Sequence, residues 1–228
     1  MTHAKRERIE QPLFGFTNWG GKRKGAGRKP KGEKALVSHS KRAEHKARHP
    51  LQVTMKLAAG LPSLRRTRPF QVVRAALEVA ADRFGCRVVH FAVLSNHLHL
   101  IVEADDNRAL ARGMNGLCVR IAHGLNRLWG RRGRVFADRF HVSVLENPTM
   151  VRNALGYVLH NAEKHGITCS RDGVDPFSSG ASFDGWQKSL DRAKSSRSVF
   201  GRPRTWLLRD GWKRLGLLES RRRERAAR

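Results

Sequence analysis

The stretch RVVHFAVLSNHLHLIVE, residues 87–103, reads as two apolar strands separated only by Ser95 and Asn96. So short a connection makes them an antiparallel hairpin. In the second strand Leu98, Leu100 and Val102 alternate with His97, His99, Ile101 and Glu103. Because successive side chains point to opposite faces, the leucine face packs on helices and both imidazoles share the other face, near enough to hold one ion. Taken alone, two histidines at i and i+2 in a chain with 11 of them read first as solvated surface residues.

The neighbouring segments extend the sheet. LQVTMKL (51–57) alternates, with Val53, Met55 and Leu57 on one side, as a half-buried strand does. PFQVVRAALEVAADRFG (69–85) carries Phe70, Val73, Leu77, Ala80, Ala81 and Phe84 at helical spacing, with Gly85 as its stop. After Asp106, a natural N-cap, the residues Leu110, Met114, Leu117, Ile121, Leu125 and Leu128 mark a long amphipathic helix ending near Gly130. RVFADRFHVSVL (134–145) is expected as a strand with an irregular start. NPTMVRNALGYVLHNAEKHG (147–166) follows as a helix capped by Asn147, with Pro148 at its first position and Val151, Leu155, Val158 and Ala162 as its buried stripe. The order β-α-β-β-α-β with one further helix predicts an α+β, ferredoxin-like antiparallel sheet, backed by helices on one face and open on the other.

Charge points to the partner. The chain has a formal net charge of +27, and residues 1–50 and 191–228 carry 14 and 13 Lys+Arg against 4 and 4 Asp+Glu. Such an excess predicts attraction to a polyanion, nucleic acid foremost, with strong salt dependence. Residues 1–49 are expected to form a basic arm too polar to fold alone, 50–170 the globular domain, and 171–228 a basic extension with a small helical segment around Trp206 and Trp212, both read as packing residues. GGKRKGAGRKPKG (20–32) lacks the GK[ST] ending of a phosphate loop; its Arg28 and Lys29, with Arg131, Arg132 and Arg134 before the last strand, read as contacts to a nucleic-acid backbone. Cys86, Cys118 and Cys169 have no zinc or disulfide spacing, and no apolar run approaches a membrane span or a signal peptide. A cytoplasmic protein, nucleoid-associated if bacterial, is the expectation.

Tyr157 is the chain's one tyrosine, and Asn161 stands four residues later. At about 100° per residue both fall beside the buried stripe centred on Val158, Lys164 lies along the same line, and His160 points outward. The paired histidines of SNHLHLIVE, with GRVFADRFH and the YxxxN of ALGYVLHNAEKHGI, resemble the single-tyrosine transposases of the HUH superfamily, most of all the REP-associated branch. The resemblance spans about residues 50 to 167. The chain departs from that pattern in Leu94-Ser95-Asn96, where Pro or Asp often precedes the first motif, and in Ala162, where Pro often follows the asparagine.

The resemblance implies that His97, His99 and the Asn161 amide oxygen hold Mg²⁺ or Mn²⁺. Tyr157 is implied to attack a scissile phosphate of single-stranded, hairpin-forming DNA to give a 5′-phosphotyrosine. Two imidazoles and an amide lean from Mg²⁺ toward Mn²⁺. Glu103, on the histidine face, is a candidate for orienting a metal-bound water, and Lys164 for assisting the phenol or contacting phosphate. Monomer and homodimer with exchanged tyrosine helices both stay open. So do a non-catalytic nucleic-acid binder on the same fold and a metal-dependent nuclease that uses water.

Overall fold

The computed structural model describes residues 42–164, 173–187 and 200–220, Lys164 for its backbone alone. All of them belong to the unit Val37–Arg228. The elements are β1 (Leu51–Lys56), α1 (Thr67–Ala80), β2 (Asp82–Arg83), β3 (Cys86–Val93), β4 (His97–Ala104), α2 (Asn107–Leu128), β5 (His141–Val144), α3 (Pro148–Leu159), α4 (Asn161–Lys164) and α5 (Trp206–Arg209), with 3₁₀ turns at Ser179–Ser182 and Gly211–Leu215. The sheet runs β2-β3-β4-β1-β5, antiparallel throughout. Without the two-residue β2 this is the ferredoxin-like order, to which α3 is added.

Local chemistry starts the helices where the sequence indicates. The Asp106 carboxylate accepts from Ala109 N at 2.6 Å, and the Asn147 amide oxygen accepts from Met150 N at 2.9 Å. Each satisfies a backbone donor that has no partner inside its helix. On one face of the sheet, Val53, Met55, Phe91, Leu98 and Leu100 join Leu77 of α1 and Leu110, Met114, Leu117, Ile121 and Leu125 of α2 in one core. Burying a side chain of this size contributes about 1.5–3 kcal/mol.

The second face is not left open along its length, contrary to expectation. Val89, Ala92 and Ile101 are covered by Val151, Leu155 and Val158 of α3 and by Phe183, Trp186, Leu208 and Trp212 of the later segments. Those segments carry aromatic residues without helical periodicity, so their packing is set by the surface they cover. Trp212 packs as read from the sequence, and Trp186 is buried beside it, whereas Trp206 is 46% exposed. A fork from Arg65 to Asp175, at 2.7 and 2.8 Å, ties segment 173–187 to the sheet, and Arg65 also donates to Val93 O at 2.9 Å.

The first helix ends earlier than expected, and the last strand has the irregular start expected of it. α1 stops at Ala80, because Asp82–Arg83 pair with Cys86–Arg87 through a turn in which Phe84 and Gly85 have φ of 57° and 71°. Positive φ at both central residues matches the twist of a tight hairpin, and Phe84 is left exposed rather than in the helix stripe. The last strand begins only at His141; residues 134–140 are irregular apart from a bridge between Leu57 and Phe136. Arg42 takes the Phe140 carbonyl at 2.7 Å and lies 4.0 Å over its ring, in place of a ladder partner.

Candidate active site at the end of the hairpin

The β3–β4 turn closes with Leu94 N donating to His97 O at 2.9 Å, so the paired histidines begin β4 directly after the loop. His97 lies opposite Lys56, and His99 opposite Thr54 and Ala92. The imidazole centroids are 4.8 Å apart at 86°. His99 is nearly buried at 4% exposure and its Nδ1 lies 3.0 Å from Thr54 Oγ1; His97 Nδ1 lies 2.8 Å from Asn96 Oδ1. A pocket of about 790 Å³ opens here, lined by Thr54, Lys56, Leu94, Ser95, Asn96, His97 and His99.

Tyr157 reaches this group from α3. Its ring centroid is 5.0 Å from that of His99 at 81°, and it retains 38% exposure. The histidine pair and the tyrosine therefore meet within one chain. Asn161 is placed differently from a residue one turn further along the same helix. α3 ends at Leu159, His160 leaves the helical conformation at φ −102° and ψ 12°, and a new turn begins at Asn161.

His160, expected to point outward, is half-buried. Its ring lies 5.5 Å from Trp186, and its nitrogens are 3.0 Å from Gly156 O and 2.8 Å from Glu219 O. These contacts of residues 186 and 219 hold the chain at the break. Asn161 is left with no exposed surface, and neither its amide oxygen nor its nitrogen finds a hydrogen-bond partner among the described residues. An unsatisfied buried amide costs about 1–3 kcal/mol, so a carbonyl-type donor without a partner suits a bound cation. Among the described residues no three of His, Cys, Asp and Glu cluster to hold a metal. The pocket lining includes both imidazoles but not Asn161.

The other candidates fall outside this group. Glu103 shares the histidine face of β4, but its carboxylate accepts from Arg87 Nη1 at 3.1 Å, Arg204 N at 3.0 Å, and Thr205 N and Oγ1 at 2.8 Å each. It anchors the start of α5 and is not directed to the pocket. Arg28, Lys29 and the Lys164 side chain lie outside the described residues.

Arg131, Arg132 and Arg134 sit on the loop that Ala58 N to Val135 O and Ala137 N to Lys56 O, both 2.8 Å, dock onto the end of β1 opposite His97. Arg132 and Arg134 are exposed. The sequence reading passed over Thr54, Lys56 and Asn96. The alternation of LQVTMKL already sets Thr54 and Lys56 opposite Val53, Met55 and Leu57, but only the β1·β4 register brings them beside the histidines.

Burial pushes the Cys86 and Cys118 thiols up to about 12 and about 11, which leaves both protonated and poorly nucleophilic at neutral pH. Burial pushes the His90 imidazole down to about 4, against a smaller opposing effect of Asp184. Among the described residues no helix is long and apolar enough to cross a membrane.

No family model matches the chain, and no curated protein matches it. Among solved structures it is similar to a REP-associated tyrosine transposase bound to a REP hairpin, with a TM-score of 0.51 and 19% identity over 63% of this chain and 82% of that one. The two share a fold.

Proposed function

We propose that the chain is a DNA-processing enzyme of the transposase type, which cleaves and rejoins single-stranded DNA through a covalent tyrosine intermediate. The observation that carries this reading is the contact of the sole tyrosine with the histidine pair: Tyr157 to His99 at 5.0 Å and His99 to His97 at 4.8 Å, beside an open pocket. A surface histidine pair without chemistry has no need of the chain's one phenol, held half-exposed against it. The fold shared with a tyrosine transposase agrees with this reading.

In the reaction, the Tyr157 oxygen loses its proton and attacks phosphorus. The bond to the 3′-oxygen breaks, leaving a free 3′-OH and a 5′-phosphotyrosine. One phosphodiester replaces another, so no nucleotide cofactor is consumed. A second 3′-OH reverses the step and joins new strands. His97, His99 and Asn161 would hold a divalent cation, Mg²⁺ or Mn²⁺, which polarises the scissile phosphate and offsets the charge that develops on it. Arg131, Arg132 and Arg134, docked at the pocket end of β1, contact the backbone of the incoming strand without reading its sequence. Lys56, opposite His97 on the pocket wall, adds a positive charge where the phosphate must lie.

The test is incubation with Mn²⁺ and 3′-labelled single-stranded hairpin oligonucleotides from the flanks of the gene, followed by denaturing electrophoresis. Label should migrate with the wild-type protein, and Tyr157→Phe should lose that adduct by at least about 10³-fold. Cleavage by Tyr157→Phe at the wild-type rate would assign the reaction to a water nucleophile. Tight binding of every oligonucleotide with no cleavage would assign the chain to non-catalytic nucleic-acid binding.

A further inference from the structure

We infer that Thr54 and Asn96 are positioning residues that hold His99 and His97 as their Nδ1–H tautomers and so turn the Nε2 atom of each toward a shared ligand. The inference rests on the metal-dependent reading of the site, but it is carried by a separate feature, the identity of the atoms that meet each imidazole at Nδ1.

Asn96 Oδ1 is 2.8 Å from His97 Nδ1, and an amide oxygen only accepts. His97 Nδ1 therefore carries the hydrogen, and the lone pair of the neutral ring lies on Nε2. Thr54 Oγ1 is 3.0 Å from His99 Nδ1. A hydroxyl accepts or donates, so this contact alone does not choose a tautomer; the neighbouring ring does. Two imidazoles 4.8 Å apart that share one cation each need a lone pair on the nitrogen turned to it. With His97 set to Nε2 by Asn96, His99 matches it only if Thr54 accepts from its Nδ1–H.

The two supports come from different elements. Thr54 is on β1, directly across the ladder from His99, while Asn96 is in the hairpin loop immediately before His97. Both line the same pocket as the rings they touch. A partner on the far nitrogen of a ligating histidine fixes ring orientation and raises its basicity, and loss of such a partner lowers metal affinity about 10–100-fold.

The test reads the tautomers directly, without catalysis. Long-range ¹H–¹⁵N correlation spectra of the metal-free protein at pH 8, with His97→Gln and His99→Gln to assign the rings, should show both histidines as Nδ1–H tautomers. Thr54→Val, close in volume but without the hydroxyl, should shift His99 toward a tautomer mixture and leave His97 unchanged. Asn96→Ala should do the converse, and Thr54→Ser should restore the wild-type pattern. Mn²⁺ titration followed by electron paramagnetic resonance should show Thr54→Val binding about 10–100-fold more weakly than wild type and Thr54→Ser within a few-fold.

An Nε2–H pattern at either ring, or a His99 pattern indifferent to Thr54→Val in a variant whose spectrum is otherwise folded, overturns the inference. Nδ1–H tautomers that respond as stated, in a protein that forms no phosphotyrosine, uphold the inference and overturn the strand-transfer reading instead.

Discussion

At its first residues β4 turns His97 and His99 toward an open pocket and the ring of Tyr157, and at its far end, on the same face, it turns Glu103 into a set of bonds closed by Arg87, Arg204 and Thr205. Between them Ile101 is covered by α3 and the C-terminal segments, and His90 lies across the ladder from it, driven neutral by burial. One face of one strand thus passes from an accessible site through a dry core to a buried ion pair. Alternation along a strand says which side chains share a face. It does not say which of them meet solvent, because that depends on what the chain later lays over the face.

Substitutions at the two ends should separate activity from stability. His99→Ala removes a proposed cation donor and the ring beneath Tyr157, so phosphotyrosine formation should fall more than a hundredfold, the equivalent of several kcal/mol, as read by the labelled-adduct assay. Its urea midpoint should move far less than that of Glu103→Ala. The latter takes one carboxylate from Arg87, which keeps its ion pair with Asp82 at 3.0 Å, and leaves the backbone donors of Arg204 and Thr205 without their acceptor, so unfolding should show a loss of about 1–3 kcal/mol. Adduct formation by the fraction that remains folded should persist. If Glu103→Ala lost activity without losing stability, the closed end would belong to the site after all.

The covered middle gives a pH signature. His90 stays neutral in the folded protein down to about 4 instead of its ordinary 6.5, so below about 6.5 the unfolded chain takes up a proton that the folded chain does not. Its contribution to stability is full above that pH and is lost as pH falls toward 4, about 3 kcal/mol in all. Urea unfolding across this range should show the decline, and His90→Gln should flatten it. The smallest effect belongs to the rim: replacing both Arg132 and Arg134 by Ala should reduce the salt dependence of DNA binding by about two phosphate contacts in a log–log plot, equally for all sequences.

Much of this was legible from periods and caps. The hairpin of residues 87–103, the helix starts at Asp106 and Asn147, and the stripe Val151, Leu155 and Val158 depend on neighbours within a few residues, where backbone geometry leaves little choice. The same local rules set both histidines on one face and Tyr157 beside its helix stripe, and their meeting follows once α3 crosses the sheet.

What tertiary structure alone decided involves partners far apart in the chain. Glu103 is claimed by Arg204 and Thr205, His160 is drawn inward by Trp186 and Glu219 and breaks the helix before Asn161, and Thr54 is set beside His99 by strand register. The reason is physical. A side-chain period is a property of the backbone and repeats wherever the backbone does. A buried polar group must find its partner among whatever segments close over it, and short-range pattern holds no record of which they are.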